Sequence, residues 1–515
     1  NLMQMNTSYV VTDPKGEILR STGKMLEKVG GYKIKVFNLI DMANSHNYNP
    51  FAYVYDKDGN VNKVSVIKMI NVLMKNTKQE GATGGDQFWD DATKALLSAL
   101  AFYLCEVGEP EDRNWANVMQ LLKYADVKEG KDDFKSPLDI KFDELEEKNP
   151  ISMAVTYYKD FKKAAGETAK SILISCAVRL QAFNLPEVAD LTHTDTIALE
   201  TLGDRKTALF VIIPSSDSTF NFLAAMMYTQ LFDTLYDRAN FKYGGRLPVH
   251  VRCMLDEFAN IGTIPDFDKL LATMRSMEIS ANIIIQNISQ LKKMYEKSWE
   301  ILTGNCDSQL FLGGKEKSTL KDQSELLGKE TIDIVAQNRT KGHRNNSSSY
   351  NNSIHGRELM TADELSIMPI SDCILTVRAF HPFYCKKFDI EKHKNYKYLE
   401  DSNKNYAYDL SGIKTLEMPS KGGYRKEDHT EPATEAPAAE ITKEDIMSSV
   451  IEVPDEDNEL EIEFETPAEK IFSEATDETV EEISESQPLG DFSFDFVDTS
   501  KPLALEGSDE FVFDS

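Results

Sequence analysis

Residues 208–213 are apolar without exception and end at Pro214, and similar short runs recur at 8–11, 32–40, 281–285, 309–312 and 373–379. Most of these runs lack the polar alternation of a half-exposed strand, which is the condition of a parallel sheet covered on both faces by helices. The run 249–255 is less clean, because His250 and Arg252 interrupt it. The first two runs flank a helical segment over 18–29, and Asp13 and Asp41 close the strands. Strand, helix and strand, with carboxylates at the strand ends, is the pattern of a crossover in a parallel sheet. The fold class is α/β.

From about residue 64 to 183 the period changes. Apolar residues recur at three and four, with helices predicted over 87–105, 115–124 and 169–183. A strand-free stretch of that length inside an α/β chain predicts an inserted all-α domain. The predicted boundaries are a first α/β part at 1–83, the insertion at 84–165, a second α/β part at 166–400 and a tail at 401–515. Residues 337–355, rich in Asn and Ser, are expected to form a mobile surface loop.

Net charge is −28, yet residues 426–515 hold 29 acidic and 4 basic side chains, a net of −25. The other 425 residues carry only −3, so the overall acidity does not exclude a nucleic-acid partner. The acidic tail lacks the apolar surface to offset its ordering entropy and is expected to be disordered. It carries two aromatic-acidic clusters, Phe492 to Phe496 and Phe511 to Asp514. Such clusters suit a short linear motif for a protein partner, and a solvating or spacing segment reads equally well.

Six scattered cysteines without a CxxC pair read as reduced, buried thiols rather than a disulfide frame or a zinc site. No stretch approaches the ~18–20 apolar residues of a membrane span. The first strand begins within eight residues of Asn1; domains seldom start so abruptly, and residues are expected in front of it.

The strongest chemical signal is the strand at 249–255 running into Asp256 and Glu257, followed by Phe258, Ala259, Asn260, Ile261 and Gly262. A strand ending in Asp-Glu is the Walker B arrangement of P-loop ATPases. Its Asp holds the Mg²⁺ shell and its Glu accepts a proton from the attacking water. Taken alone, an acidic turn after a strand reads as well. A second signal is Arg275 on a helix, followed by a strand ending at Gln286. A Gln at an adjacent strand tip can sense a γ-phosphate and an Arg can act on a neighbouring subunit's nucleotide, although an Arg on a helix is usually a solvated group. The third is the turn holding Asp13, Pro14, Lys15, Gly16 and Glu17, at the carboxyl edge where α/β folds bind ligands. No Gly-x-x-x-x-Gly-Lys-Ser/Thr occurs; residues 81–85 lack the lysine and the spacing. Without that loop nothing cradles the phosphates, so the residues present are expected not to hydrolyse ATP by themselves.

In their order along residues 1–395, these segments resemble the type IV secretion coupling proteins, the TraG/TraD class of conjugation ATPases. The resemblance rests on Val10 to Glu17, the helix opening at Phe88 and Trp89, Met254 to Gly262, Ile285 to Leu291 and Gly356 to Leu365. It implies a RecA-like nucleotide-binding domain with an all-α insertion, a P-loop and membrane helices upstream, and a homo-hexameric ring at the cytoplasmic face of the bacterial membrane. It implies ATP and Mg²⁺ as cofactors. Asp256 then corresponds to the Mg²⁺-associated Asp, Glu257 to the catalytic base, Gln286 to the γ-phosphate sensor and Arg275 to the finger. Asp13, Lys15 and Gly16 lie at the nucleotide edge. The implied function is to recruit a relaxase–DNA complex and drive single-stranded DNA transfer by ATP hydrolysis. The implied partners are the relaxosome, the secretion-channel ATPases and the inner-membrane components.

Two other readings remain open at this level. One is a double-stranded DNA translocase of the FtsK/HerA type, which the all-α insertion disfavours. The other is an ATP-independent substrate receptor of the channel. A DNA channel needs basic residues, for which Lys292 and Lys293 are candidates, although a solvated helix start explains them too.

Overall fold

The computed structural model describes residues 1–78, 87–125, 135–163, 166–341, 346–411 and 413. The chain divides into two units, 1–429 and 430–515; the acidic tail with its Phe-Asp clusters lies outside the described residues, as do residues 81–85.

Five strands, β1 (Ser8–Asp13), β2 (Lys33–Asn38), β3 (Thr207–Ile212), β4 (Val251–Leu255) and β5 (Ile279–Ile283), form one sheet in the order β2-β3-β1-β4-β5. Every pairing in it is parallel. β1 and β3 are buried at all six positions, the apolar stretches Tyr9 to Val11 and Ala208 to Ile212 in the middle and the polar Ser8, Thr12, Asp13 and Thr207 toward the ends. Successive residues serve opposite layers: Tyr9, Val11, Ala208, Phe210 and Ile212 face one core, and Val10, Leu209 and Val211 the other. Each buried Val, Leu or Phe contributes ~1.5–3 kcal/mol, so both layers hold the sheet strongly.

The first layer is α1 (Glu17–Lys28), whose Leu19, Met25 and Leu26 are buried against the sheet. It is sealed by a late segment of the chain: Leu399 and Ile413 join the same core, with Tyr408 and Leu410 packed on it. Arg20 Nε donates to Glu400 at 2.8 Å and Tyr408 N to Arg20 O at 2.9 Å. The packed chain therefore runs past residue 401, where the tail was expected to begin, because its tyrosines and leucine are spaced to cover α1.

The second layer is helical. It holds α2 (Lys63–Asn76), α3 (Gln87–Val107), α4 (Trp115–Lys123), α5 (Pro137–Lys148), α6 (Met153–Lys162), α7 (Gly166–Leu180), α8 (Pro186–His193) and α9 (Asn221–Asp237). Their apolar residues merge with one face of the sheet into a single core cluster. α9 is buried along nearly its whole length, the state of a helix apolar on all sides. Among the described residues no single helix is long and apolar enough to cross a membrane. One bent pair, Thr168–Asn184 with Pro186–His193, passes on length and composition, and its Ile172, Cys176, Leu180, Phe183, Val188 and Leu191 belong to this core.

After β4 come short elements: α10 (Phe267–Thr273) before β5, then α11 (Ile288–Met294), α12 (Trp299–Gly304), β6 (Ser308–Phe311) and α13 (Lys317–Leu327). A long hairpin follows, β7 (Lys329–Lys341) with β8 (Asn346–Glu358), then α14 (Ala362–Ser366), β9 (Asp372–Val377) and β10 (Phe383–Lys386). β6, β9 and β10 make a separate antiparallel sheet in the order β10-β9-β6. The runs at 309–312 and 373–379 are thus strands, but not of the doubly covered sheet; β6 buries only Phe311. A short apolar run fixes strand, not which sheet it joins. The loop expected over 337–355 is instead largely β7 and β8, paired antiparallel from Lys329↔Glu358 to Lys341↔Asn346. A stretch this rich in Asn, Ser and other polar residues leaves no apolar period to read, and the ladder's own backbone pairing holds it.

Candidate functional site

β1 and β4 run in register with Thr12 opposite Leu255, so the turns that begin at Asp13 and Asp256 leave the sheet side by side at its carboxyl edge. β4 and β5 pair Leu255 with Ile283, and Ile284 N continues the ladder to Leu255 O at 3.0 Å. Strand β5 ends two residues earlier than expected, and Gln286 lies just beyond it on the same edge. Three of the expected site residues therefore converge, Asp256 and Glu257 after β4 and Gln286 after β5.

Glu257 sits in the left-handed region, φ 45° and ψ 50°. A non-glycine residue there costs ~1–2 kcal/mol, so the surroundings must impose it. Asp256 Oδ1 accepts from Glu257 N at 3.0 Å, and Phe258 N donates across to Ile284 O at 3.0 Å. Phe258 is fully buried, stacked on Tyr295 at 5.9 Å and tilted against Phe267 at 5.2 Å. Asn76, at the end of α2, brackets the next residues: its Oδ1 accepts from Thr263 N at 2.7 Å and its Nδ2 donates to Thr263 O at 3.0 Å. Gly262 has φ 88°, and a Cβ on it would stand 2.7 Å from that Asn76 Oδ1. The apolar and glycine positions of this segment thus fix the backbone that aims the two carboxylates.

The Glu257 carboxylate accepts from Asn260 Nδ2 on Oε2 at 2.6 Å and from Gln286 Nε2 on Oε1 at 3.5 Å. Gln286 N in turn donates to Gln290 Oε1 at 3.2 Å, in α11. A carboxylate held by two side-chain amides, beside a second carboxylate at the edge of a parallel sheet, is placed to take a proton from a water molecule. Asn260, Asn76 and Tyr295 were not legible as site residues. The order Glu257 to Asn260 does carry the signal for the first, since an amide three residues on lies on the same side of a tight helical turn.

The β1 turn is arranged differently. Asp13 is 1 % exposed; its Oδ2 accepts from Leu19 N at 2.8 Å and its Oδ1 from Lys15 N at 3.5 Å. Burial pushes its carboxyl up from the ordinary value, and main-chain N–H groups of Leu19, Ile18, Lys15 and Gly16 pull it back. Asp13 is thus turned inward to hold the start of α1. Gly16 has φ 76°, a conformation open to glycine at little cost, and Lys15 is exposed at the tip of the turn.

Arg275 is not part of this constellation. It lies in the single turn Met274–Met277 before β5, at the amino end of the strand whose carboxyl end leads to Gln286, about 15 Å of strand away. Its side chain is 92 % exposed, with Asp307 Oδ2 at 3.8 Å. Lys292, a candidate for a DNA contact, is engaged within the chain: its Nζ donates to Asp322 at 2.7 Å and lies over the Trp299 ring at 4.4 Å.

Mg²⁺ prefers oxygen ligands and is held by one or two carboxylates together with phosphates and water rather than by a protein cage. Asp256 at the strand end suits that role, and among the described residues no group of three or more His, Cys, Asp or Glu forms a cage. The donors for a phosphate chain are a different matter, since the sequence has no phosphate-cradling loop.

Residues 1–406 match the model of the family described as type IV secretory system conjugative DNA transfer. The chain is 20 % identical over 392 residues to the conjugal transfer protein TraG of Rhizobium radiobacter, covering 74 % of this chain and 58 % of that protein. It is 20 % identical over 405 residues to the type IV secretion system-coupling protein VirD4 of Bartonella quintana (strain Toulouse), covering 77 % and 60 %. The chain thus spans about three-fifths of the length of these relatives. Among solved structures it resembles the plasmid coupling protein TrwB in complex with a non-hydrolysable GTP analogue, with a TM-score of 0.52 and 15 % identity over 75 % of this chain and 79 % of that one. That likeness establishes the RecA-like α/β fold.

Proposed function

This chain belongs to the type IV secretory system conjugative DNA transfer family, and from that premise we propose that the full-length protein is an ATP-driven coupling motor of a conjugation channel. The observation that carries the reading is the meeting of Glu257 and Gln286 beside Asp256 at one edge of a parallel sheet. Asp256 holds the water shell of the nucleotide's metal, and Glu257, oriented by Asn260, takes the proton of the attacking water. Gln286, bonded to the same carboxylate, couples occupancy of the phosphate site to the start of α11. Bound Mg²⁺ supplies charge neutralisation across the transferred phosphoryl group.

The phosphate cradle belongs to the part of the protein that this chain does not span. The outer edge of β5 pairs with no strand among the described residues, and Ile284 is 40 % exposed there. Open edges of parallel sheets are normally covered, and a strand carrying the phosphate loop fits that place beside Gln286. The chain alone then lacks ATPase activity. The same reading gives single-stranded DNA with its relaxase as cargo, a homo-hexameric ring, docking to the channel ATPases and inner-membrane components, and a position at the cytoplasmic face of the membrane. The nucleotide-binding portion takes in 1–83 and the chain from 166 to the segment that packs on α1, up to Ile413, and the helical portion 84–165 serves cargo recognition.

The test is ATP hydrolysis by the full-length protein with no DNA, with single-stranded DNA and with duplex of equal length. Stimulation by the single strand is expected. Stimulation by duplex alone would favour a double-stranded DNA translocase, and absence of hydrolysis under all three conditions would leave a substrate receptor.

A further inference from the structure

The chain has six cysteines, and two of them face each other. Cys373 on β9 is directly opposite Cys385 on β10 in the antiparallel ladder, and their sulfur atoms are 3.5 Å apart. Two residues along the same ladder, Lys387 N donates to Ser371 O at 2.7 Å. The alternation of an antiparallel pair therefore makes Cys373 and Cys385 a hydrogen-bonded pair, with Cα atoms ~5.5 Å apart. That spacing lies within the Cα range that disulfides span. The next cross-strand pair holds the register: Asp372 accepts from Lys386 Nζ at 2.6 Å and from Tyr384 OH at 2.9 Å.

The two thiols differ in access. Cys373 is 4 % exposed, whereas Cys385 is open to solvent. Burial raises the Cys373 thiol above its ordinary value, the contact with Cys385 adds to this, and the charge of Lys387 opposes it. Cys105, Cys176 and Cys253 are buried away from any such partner and burial raises each of them too. Only one exposed thiol in the described chain thus has a second sulfur within reach.

We propose that Cys373 and Cys385 are a peroxide-reactive dithiol that closes reversibly to a cross-strand disulfide. The Cys385 thiolate attacks one oxygen of a hydroperoxide, the O–O bond breaks, and the other oxygen leaves as alcohol or water after taking up a proton. Cys385 is then a sulfenic acid. The Cys373 sulfur attacks the Cys385 sulfur, the S–O bond breaks, and the oxygen leaves as water with the Cys373 proton. Two thiols and one hydroperoxide give one disulfide, one alcohol and one water; the thiols lose two electrons and the peroxide gains them. Cys385 is the attacking sulfur and Cys373 the resolving one.

Trypsin cuts after Arg378, between the two cysteines, so the disulfide is read as two peptides joined. Reduced protein is treated with equimolar hydrogen peroxide, alkylated with iodoacetamide, digested and weighed. A joined pair of peptides, two hydrogens lighter than their reduced sum and separated by dithiothreitol, is expected. In Cys373→Ser the sulfenic acid at Cys385 is trapped by dimedone. In Cys385→Ser, Cys373 oxidises at least ~10-fold more slowly, as expected of a buried thiol. Accumulation of sulfinic acid at Cys385 in the unaltered protein with no joined peptide would overturn the proposal. So would oxidation of both cysteines no faster than Cys253.

Discussion

Replacing Glu257 by Gln is the sharpest perturbation of the site, because shape is kept and only the proton-accepting group is lost. The structure sets what the change costs. Oε2 accepts from Asn260 at 2.6 Å and Oε1 from Gln286 at 3.5 Å. An amide keeps its oxygen toward Asn260 and presents its NH₂ to Gln286, whose exposed amide can turn its own oxygen to accept. The hydrogen bonds are thereby preserved, and folding stability should change by less than ~1 kcal/mol. The rate is affected on another scale, since removal of a positioned general base costs ~10²- to 10⁴-fold, or about 2.7–5.4 kcal/mol of barrier. Nucleotide affinity should hold or tighten, because a negative charge near the phosphates is removed. The assay pairs steady-state ATP hydrolysis by the full-length protein with equilibrium binding of a fluorescent ATP analogue. If turnover falls less than ~10-fold while the fold is intact, Glu257 is not the base. If binding and turnover vanish together, the residue supports the fold of the turn rather than the chemistry.

Two further predictions probe other parts of the same account. A Cβ at Gly23 would stand 2.7 Å from Leu19 Cδ1 and 2.8 Å from Tyr408 Cγ. Gly23→Ala should therefore destabilise by up to ~2 kcal/mol, overpacking of ~1–3 outweighing the ~1 kcal/mol gained in helix propensity. In a Tyr408→Ala background, where only the Leu19 contact remains, the same change should cost less in urea denaturation; an equal cost in both backgrounds would show that the late segment does not pack on α1 at Gly23. Arg275→Ala removes a side chain 92 % exposed whose nearby acidic group, Asp307, is itself half exposed. Stability should stay within ~0.5 kcal/mol, yet turnover by the assembled full-length protein should fall ~10³-fold if the arginine serves a neighbouring subunit. Mixing these subunits with Glu257→Gln subunits should restore part of the activity, and unchanged turnover in the single variant would make Arg275 a solvated surface group.

What could be read in the sequence follows from how each feature is enforced. The parallel sheet was legible because the middles of β1 and β3, Tyr9 to Val11 and Ala208 to Ile212, are apolar on successive positions and so buried on both faces, a pattern few other structures demand. Asp256, Glu257 and Gln286 were legible because carboxylates and amides at strand ends converge once the strands are parallel neighbours, as β4 and β5 are. The left-handed conformation of Glu257 was not, because nothing in a glutamate announces it; it is imposed by Phe258, Gly262 and the distant Asn76, whose contact spans 187 residues. Asp13 shows the converse limit. Its place after a strand suggested a ligand-facing group, yet the same position lets its carboxylate turn back onto Leu19 N, a use that only burial reveals. The hairpin β7–β8 was hidden for a third reason: the Asn- and Ser-rich run over 337–355 carries no apolar period. Pattern thus reports what is buried, and a functional edge is built from residues that pattern leaves free. Sequence alone can name the groups at that edge, while their roles depend on which of them the fold turns inward.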